Sequence, residues 1–114
     1  MDFSKATLRG YNGPMRIIAL STLKQFSDQS ADAFEAREPL MAWYRHVKAS
    51  DWSTPAELKR DFPSASILKD GRAVFNISGN KYRIVVWINY HYRVVYIRFV
   101  GTHRQYDAID AQSI

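Results

Sequence analysis

The segment that most constrains the fold of this chain runs from Gly71 to Asp107. Three runs of β-branched and aromatic residues alternate there with polar residues at period two, and turn residues separate the runs. Ser78-Gly79-Asn80-Lys81 has the composition of a two-residue hairpin loop, because Gly and Asn tolerate the positive φ that such loops require. A second two-residue loop is expected at His91-Tyr92. The segment therefore predicts a meander of three antiparallel strands.

The two loops fix the expected register of this meander. The first loop places Asn76 opposite Arg83, and the second places Val85 opposite Arg98. Arg83 and Arg98 then become diagonal neighbours on adjacent strands, close enough to hold one anion. The same registers imply three further pairs: Phe75 with Ile84, Trp87 with Tyr96, and Ile84 with Phe99.

The alternation also divides the meander into an apolar face and a mixed face. A slip of one residue would exchange the two faces, so the register is well specified. The apolar face must be buried and comprises Phe75, Ile77, Ile84, Val86, Ile88, Val95, Ile97 and Phe99. The mixed face is expected to stay open and comprises Val74, Asn76, Arg83, Val85, Trp87, Val94, Tyr96 and Arg98. Beyond the last strand, the count places His103 near Asn80 and Lys81, with Tyr106 three residues later.

The residues before the meander predict a strand followed by helices. Met15–Leu20 is a candidate strand, and Ser21 is a candidate N-cap for a helix that contains Leu23 and Phe26. Pro39 suits the first turn of a longer helix. Thr54-Pro55-Ala56-Glu57 has the form of a capping box that opens a further, short helix. The longer helix carries an apolar stripe at Leu40, Trp43, Tyr44 and Val47. This order predicts an α+β fold in which an N-terminal strand and two to three helices pack on an antiparallel sheet.

The bulk properties limit the possible functions. The chain has 114 residues with 16 Lys and Arg against 11 Asp and Glu, so its formal charge is +5 and permits an anionic partner. It contains no Cys, which excludes disulfides and thiolate metal sites. We expect a single domain over residues 15–114, preceded at residues 1–14 by a mobile leader. No apolar run is long enough to cross a membrane, and a cytoplasmic location is the simplest expectation.

Several of these segments resemble one known family. Val74-Phe-Asn-Ile-Ser-Gly-Asn-Lys-Tyr-Arg83 and Tyr96-Ile-Arg-Phe-Val-Gly-Thr-His-Arg-Gln-Tyr-Asp107 look like the HigB toxins of type II toxin–antitoxin systems. The segments Met15-Arg-Ile-Ile, Ala42-Trp-Tyr and Asp51-Trp-Ser-Thr-Pro are similar to the same family. The resemblance implies a RelE/ParE-like fold. It also implies an mRNA endoribonuclease, usually ribosome-dependent, that is neutralised in a hetero-oligomer by a HigA-like helix-turn-helix antitoxin.

Metal-independent RNA cleavage needs a base for the ribose 2′-OH, an acid for the leaving 5′-oxygen, and cations at the phosphate. In toxins of this family, an arginine that matches Arg83 and a basic residue that matches His103 serve such roles. The expected catalytic residues are therefore Arg83, His103 and Tyr106, and Asp107 either orients His103 or caps the final turn. Binding of the RNA backbone and bases is expected from Asn76, Lys81, Trp87, Tyr96 and Arg98. No cofactor is expected.

Other interpretations remain open. Arg83 and Arg98 are also compatible with ordinary solvated strand residues, and Trp87 with Tyr96 is compatible with an aromatic pair that receives the antitoxin. A ParE-like gyrase inhibitor would share the fold but would not need the nuclease residues. A non-enzymatic RNA- or protein-binding module is a third class. The histidines His46, His91 and His103 lack the short spacings of metal ligands, so no metal site is expected.

Overall fold

A computed structural model describes residues 14–114, so the expected leader lies, apart from Pro14, outside the described residues. The α+β class is confirmed: within residues 14–114, four helices precede the meander and lie with it in two layers. In chain order the elements are β1 (Arg16–Ile18), α1 (Leu20–Ser27), α2 (Ala31–Phe34), α3 (Arg37–Ala49), α4 (Pro55–Asp61), β2 (Ser66–Ile67), β3 (Arg72–Ile77), β4 (Tyr82–Asn89), β5 (Val94–Thr102) and α5 (His103–Asp107).

The sheet has five strands in the order β1-β5-β4-β3-β2. It is mixed rather than antiparallel, because β1 pairs in parallel with β5 while the other neighbours are antiparallel. The short β2 was not predicted, since its two exposed residues carry no period-two pattern long enough to read. The central strand of this sheet is β4, the most buried of the five.

The helices cover one face of the sheet and form the main core with it. On α3 the predicted stripe is confirmed, with Leu40, Trp43 and Val47 buried. The Trp43 ring lies 5.2 Å, centroid to centroid, from the ring of Phe75 on β3. Phe62 packs edge-on against the same ring at 5.0 Å. This aromatic packing holds the helical layer on the meander. No helix of the described chain is both long and apolar enough to cross a membrane.

The predicted start of α4 is found in the structure, whereas the predicted start of α1 is not. The α4 capping box is confirmed, since Thr54 and Glu57 each accept a backbone N–H of the other. A hydrogen bond from the Ser53 hydroxyl lowers the pKa of the Glu57 carboxyl below its usual value. The prediction of Ser21 as an N-cap is wrong, because α1 already begins at Leu20, after Ala19, whose side chain cannot cap.

The first hairpin has the predicted register, with Asn76 opposite Arg83 and Phe75 opposite Ile84. Its turn uses left-handed φ values of 52° at Ser78 and 65° at Gly79. The residues with positive φ are therefore Ser78 and Gly79, one position earlier than the predicted pair Gly79 and Asn80.

The second hairpin contains a β-bulge that the sequence analysis did not predict. Trp87 lies opposite Tyr96 as expected, but Val85 pairs with Phe99, where Arg98 was predicted. Ile84 consequently pairs with Val100 in place of Phe99. A bulge inserts one extra residue into one strand. Beyond it, every β5 side chain changes its partner, so the predicted diagonal contact between the two arginines is wrong.

The mixed face is not open, which is the second correction to the prediction. Helix α5 and residues 108–114 fold back over its centre. Gln112 fastens this segment, because its side-chain amide both donates to and accepts from the backbone of Lys69 at 2.9 Å. The resulting second core contains Val74, Val85 and Ala111, with Leu68, Phe99, Tyr106, Ile109 and Ile114 packed around them. Only the margins of this face are left for a ligand.

Candidate active site

Arg83 lies on β4, next to the first hairpin loop, and its side chain is directed back towards that loop. Its Nη1 donates hydrogen bonds to the carbonyl oxygens of Asn80, at 3.1 Å, and Tyr82, at 3.3 Å. The residue is only 9% exposed. The two carbonyls restrict the guanidinium to one orientation, so the entropy of ordering it is lost on folding rather than on ligand binding.

Tyr106 brings helix α5 into contact with this arginine. The Arg83 Cζ lies 5.6 Å from the centroid of the Tyr106 ring, within the range of a cation–π interaction. The ring is half-buried and packs in the second core, so the tyrosine is held on both sides. The structure thus joins two of the three predicted catalytic residues.

His103 is the first residue of α5 and lies beside the same loop. Its backbone N–H donates to the carbonyl oxygen of Lys81 at 3.0 Å, so the predicted position near Asn80 and Lys81 is confirmed. Its Nδ1 lies 3.1 Å from Oδ2 of Asp107, one turn later on the helix. Asp107 does not cap the final turn, whose C-cap is Ala108. Of the two readings of Asp107, the structure therefore supports the one in which it orients His103.

A second capping box, which the sequence analysis missed, fixes the start of α5. Thr102 accepts from the backbone N–H of Gln105 at 3.1 Å, and Gln105 Oε1 accepts from the backbone N–H of Thr102 at 2.8 Å. The pattern Thr-x-x-Gln is the signal that could have revealed it. Because His103 lies between these two residues, the capping box fixes the backbone that carries the imidazole.

Gly101 lies opposite Arg83 on β5, next to the start of α5, and its lack of a side chain leaves space for Phe99 and Gln105. A Cβ at this position would lie 2.6 Å from Cζ of Phe99 and 2.8 Å from Oε1 of Gln105. Both distances are shorter than real Cβ contacts, so a side chain at this position would displace the Phe99 ring and the Gln105 amide.

Lys81 is an exposed cation two residues from Arg83 along the chain. Its Nζ lies 3.7 Å from Oε2 of Glu35, and both side chains are about two-thirds exposed, so the pair is weak. Lys81 also lines a cavity of about 360 Å³, whose other walls come from the α1–α2 region and from the start of α5. Lys81 is thus free to turn towards an anion at little cost.

Two of the residues predicted to bind RNA point away from Arg83. The Asn76 amide donates to the Ser64 carbonyl, 3.2 Å away, on the edge of the sheet. Arg98, displaced by the bulge, directs its Nε to the main-chain oxygen of Ile114 at 3.4 Å. Because Arg83 lies opposite Gly101 and Val85 opposite Phe99, Phe99 takes the diagonal position that Arg98 was predicted to hold.

Trp87 and Tyr96 form a separate group at the other end of the mixed face. Their ring centroids are 5.1 Å apart at an interplanar angle of 32°. Trp87 lies four residues from Arg83 on β4, about 13 Å along the strand. These rings therefore cannot contact the phosphate that Arg83 would hold.

No metal site accompanies these groups in the part of the chain that the structure describes. Within residues 14–114, no three His, Cys, Asp or Glu side chains are arranged to hold an ion. The side chains that lie together are an imidazole, a phenol and a guanidinium, groups that in general can transfer protons or bind anions.

Comparison with known proteins identifies the family. Residues 36–109 match the HigB toxin family, described as the RelE-like toxic component of a toxin–antitoxin system. The mRNA interferase toxin HigB of Escherichia coli strain K12 is 32% identical over 94 residues, which cover 81% of this chain and 90% of the relative. The mRNA interferase HigB of Shigella flexneri gives the same values. That of Escherichia coli O6:H1 is 29% identical over 72 residues, or 61% of this chain and 70% of the relative. The chain therefore belongs to the HigB family of RelE-like toxins.

Proposed function

We propose that this toxin is an endoribonuclease that cleaves mRNA and thereby inhibits translation. The observation that carries the proposal is the contact of Arg83 with Tyr106 beside the His103–Asp107 pair, at one end of the central strand. The mRNA interferases among its relatives support the choice of RNA as substrate. The positive formal charge of +5 favours approach to a polyanion.

The proposed reaction is attack of the ribose 2′-oxygen on the adjacent phosphorus. A base removes the 2′-OH proton, the new P–O2′ bond forms, and the bond from phosphorus to the 5′-oxygen breaks. An acid then gives a proton to the departing 5′-oxygen. The products are a 2′,3′-cyclic phosphate and a 5′-OH end, and no oxidant, reductant or metal enters the balance.

Arg83 is proposed to stabilise the charge that gathers on the phosphate. A guanidinium carries five N–H donors in one plane, and Nη1 alone is engaged with the loop carbonyls. A preorientated cation loses little energy to reorganisation as the charge develops. Lys81 is proposed to bind the backbone beside it, after releasing its weak contact with Glu35.

His103 and Tyr106 are proposed to carry the two proton transfers. The contact between Nδ1 and Asp107 favours the tautomer with a proton on Nδ1, which leaves Nε2 to exchange a proton with the RNA. The contact of the Arg83 guanidinium with the Tyr106 ring holds the phenol beside the proposed phosphate position, which supports Tyr106 as the second proton-transfer group. Asp107 acts through His103 as a positioning residue.

We further propose that the toxin cuts mRNA on the ribosome in the cytoplasm, and that a helix-turn-helix antitoxin of the HigA type neutralises it in a hetero-oligomer. The match to the toxic component of a toxin–antitoxin system supports an antitoxin partner, and the resemblance of the sequence motifs to the HigB toxins supports the finer features.

The test is cleavage of a defined mRNA by the purified toxin, with and without translating ribosomes. We expect wild type to cut and to leave 2′,3′-cyclic phosphate and 5′-OH ends. We expect His103→Ala to slow cleavage about 10²- to 10⁴-fold and Arg83→Ala about 10²- to 10³-fold. His91→Ala, an exposed histidine in the β4–β5 turn, is the matched control and should cut like wild type.

Thermal unfolding of each variant checks that it folds. Message left intact by wild type on loaded ribosomes would overturn the proposal, and DNA damage in its place would identify a gyrase inhibitor. Equal cleavage by wild type and both site variants would remove Arg83 and His103 from the mechanism.

A further inference from the structure

A row of side chains crosses the mixed face at the end away from Arg83. Arg72 of β3 lies opposite Trp87 of β4, and Trp87 lies opposite Tyr96 of β5. The two rings lie side by side at 5.1 Å. All three side chains are half-buried, so the strands fix them while part of each stays accessible.

Two arginines converge beside these rings. Nη1 of Arg72 donates to the main-chain oxygen of Ile114, and Nε of Arg98 points to the same oxygen at 3.4 Å. Arg98 lies at the bulge, between Ile97 and Phe99, which pair with Val86 and Val85. One oxygen thus sits between two guanidinium groups, which is the arrangement that a phosphate oxygen takes between paired arginines.

We propose that Arg72, Trp87, Tyr96 and Arg98 form a second binding site for single-stranded RNA, separate from the scissile phosphate. A phosphate takes the place of the Ile114 oxygen between the two guanidinium groups, and the neighbouring base stacks on the Trp87–Tyr96 pair. The choice of RNA as ligand rests on the proposed function. Single-stranded nucleic acid fits these groups because it offers a π-face and a charged phosphate with every nucleotide.

The position of this site gives it a role in substrate recognition. Trp87 lies about 13 Å along β4 from Arg83, too far to share one phosphate. RNA bound at this site is held at a second point, away from the scissile phosphate. Two points of attachment fix the direction in which the strand runs along the sheet. Binding energy from such a remote contact is available to orient the reacting nucleotide.

The test uses a short 2′-O-methyl RNA oligomer, which lacks the attacking hydroxyl and stays intact. Trp87 reports on binding through its fluorescence, because Trp43 and Trp52 are only 3% and 2% exposed. We expect the oligomer to quench the fluorescence of the wild-type toxin. In anisotropy measurements with a fluorescent oligomer, we expect Trp87→Ala to bind about 5- to 150-fold more weakly than wild type. Arg72→Ala and Arg98→Ala should each weaken binding about tenfold. Each should also reduce the slope of log affinity against log salt by about 0.7.

Arg60→Ala, at an exposed position on α4, is the matched control and should change neither affinity nor slope. Arg72→Lys keeps the charge and guards against loss of folding; it should retain the salt slope while binding more weakly. Oligomer binding and salt slopes equal to wild type in the Arg72, Trp87 and Arg98 variants would overturn the second site, even with message cleavage intact. Quenching of the wild-type fluorescence together with weakened binding in those variants, in a toxin that cuts no message, would support the site while removing the nuclease.

Discussion

Replacement of Gly101 by alanine tests whether the bulge and α5 together determine the site. The added methyl group would meet Cζ of Phe99 at 2.6 Å, Oε1 of Gln105 at 2.8 Å and Cε2 of Phe99 at 3.0 Å. The Gln105 oxygen has to move, and it is the acceptor for the backbone N–H of Thr102. The variant therefore both overpacks the sheet and opens the capping box that fixes His103.

Both costs can be estimated. Overpacking of a filled site costs about 1–3 kcal/mol, and loss of an N-terminal capping interaction costs about 0.5–2 kcal/mol. Because relaxation of the Phe99 ring relieves part of the first cost, we expect the free energy of unfolding to fall by about 2 kcal/mol in urea titrations. The rate of message cleavage should fall at least tenfold at temperatures where the variant is folded, since small misplacement of a catalytic group is costly.

Two variants separate position from stability. Ile88→Val, in the main core, should lose about 1 kcal/mol of stability and keep its cleavage rate. Addition of Phe99→Leu to Gly101→Ala removes the closest contact and should restore part of the stability. A Gly101→Ala toxin as stable and as active as wild type would refute the reasoning, because the methyl group would then have found space that the structure does not contain.

Two further predictions concern single side chains. Asp107→Asn should slow single-turnover cleavage about tenfold with unchanged oligomer affinity, because Asp107 orients His103; a rate within twofold of wild type would contradict this role. Burial raises the pKa of Tyr90 to about 12, so the folded state holds the phenol proton more tightly than the unfolded state. The stability from this group is complete below pH 10 and is lost as pH rises from 10 towards 12; Tyr90→Phe should lose less stability over that window in urea titrations, and parallel profiles would refute the assignment.

The first hairpin could be predicted from sequence because several local signals agree there. Alternation at period two and a Gly-Asn loop both set Asn76 opposite Arg83, and this pair is found. The capping box at Thr54 was equally readable. Such features depend on neighbours in the chain, so the sequence carries them directly.

The second hairpin shows where that reasoning ends. A bulge changes the register without changing the composition, and Phe99-Val100 is apolar at both positions, so either could face the core. Gly101 was the available sign, because a glycine inside a strand often marks a bulge or a close approach. Its meaning depends on Phe99 and Gln105, whose contact arises only in the folded chain.

Coverage of the mixed face was missed for a related reason. Ile109, Ala111 and Ile114 are apolar but too widely spaced to predict a long helix, so residues 106–114 are compatible with either one helical turn or a loose end. Its burial depends on Val74 and Val85, whose apolar side chains interrupt the mixed face and need a cover. Two valines in the middle of a face that is otherwise polar are the sign, in the sequence, that part of this face is covered.

The double hydrogen bond between Gln112 and Lys69 has a consequence for how the toxin loses activity. Five residues are too few for an isolated helix to persist in water, so α5 survives only through its attachments on either side. Besides its capping box and the packing of Tyr106, these attachments are the hydrogen bond at Lys81 and the bond that joins residue 112 to the edge of the sheet 43 positions earlier. Fraying of that edge would release the imidazole and the phenol together while the aromatic core stayed folded. Loss of cleavage activity should therefore precede unfolding of the main core, and detachment of residues 108–114 from the sheet edge is enough to inactivate the toxin.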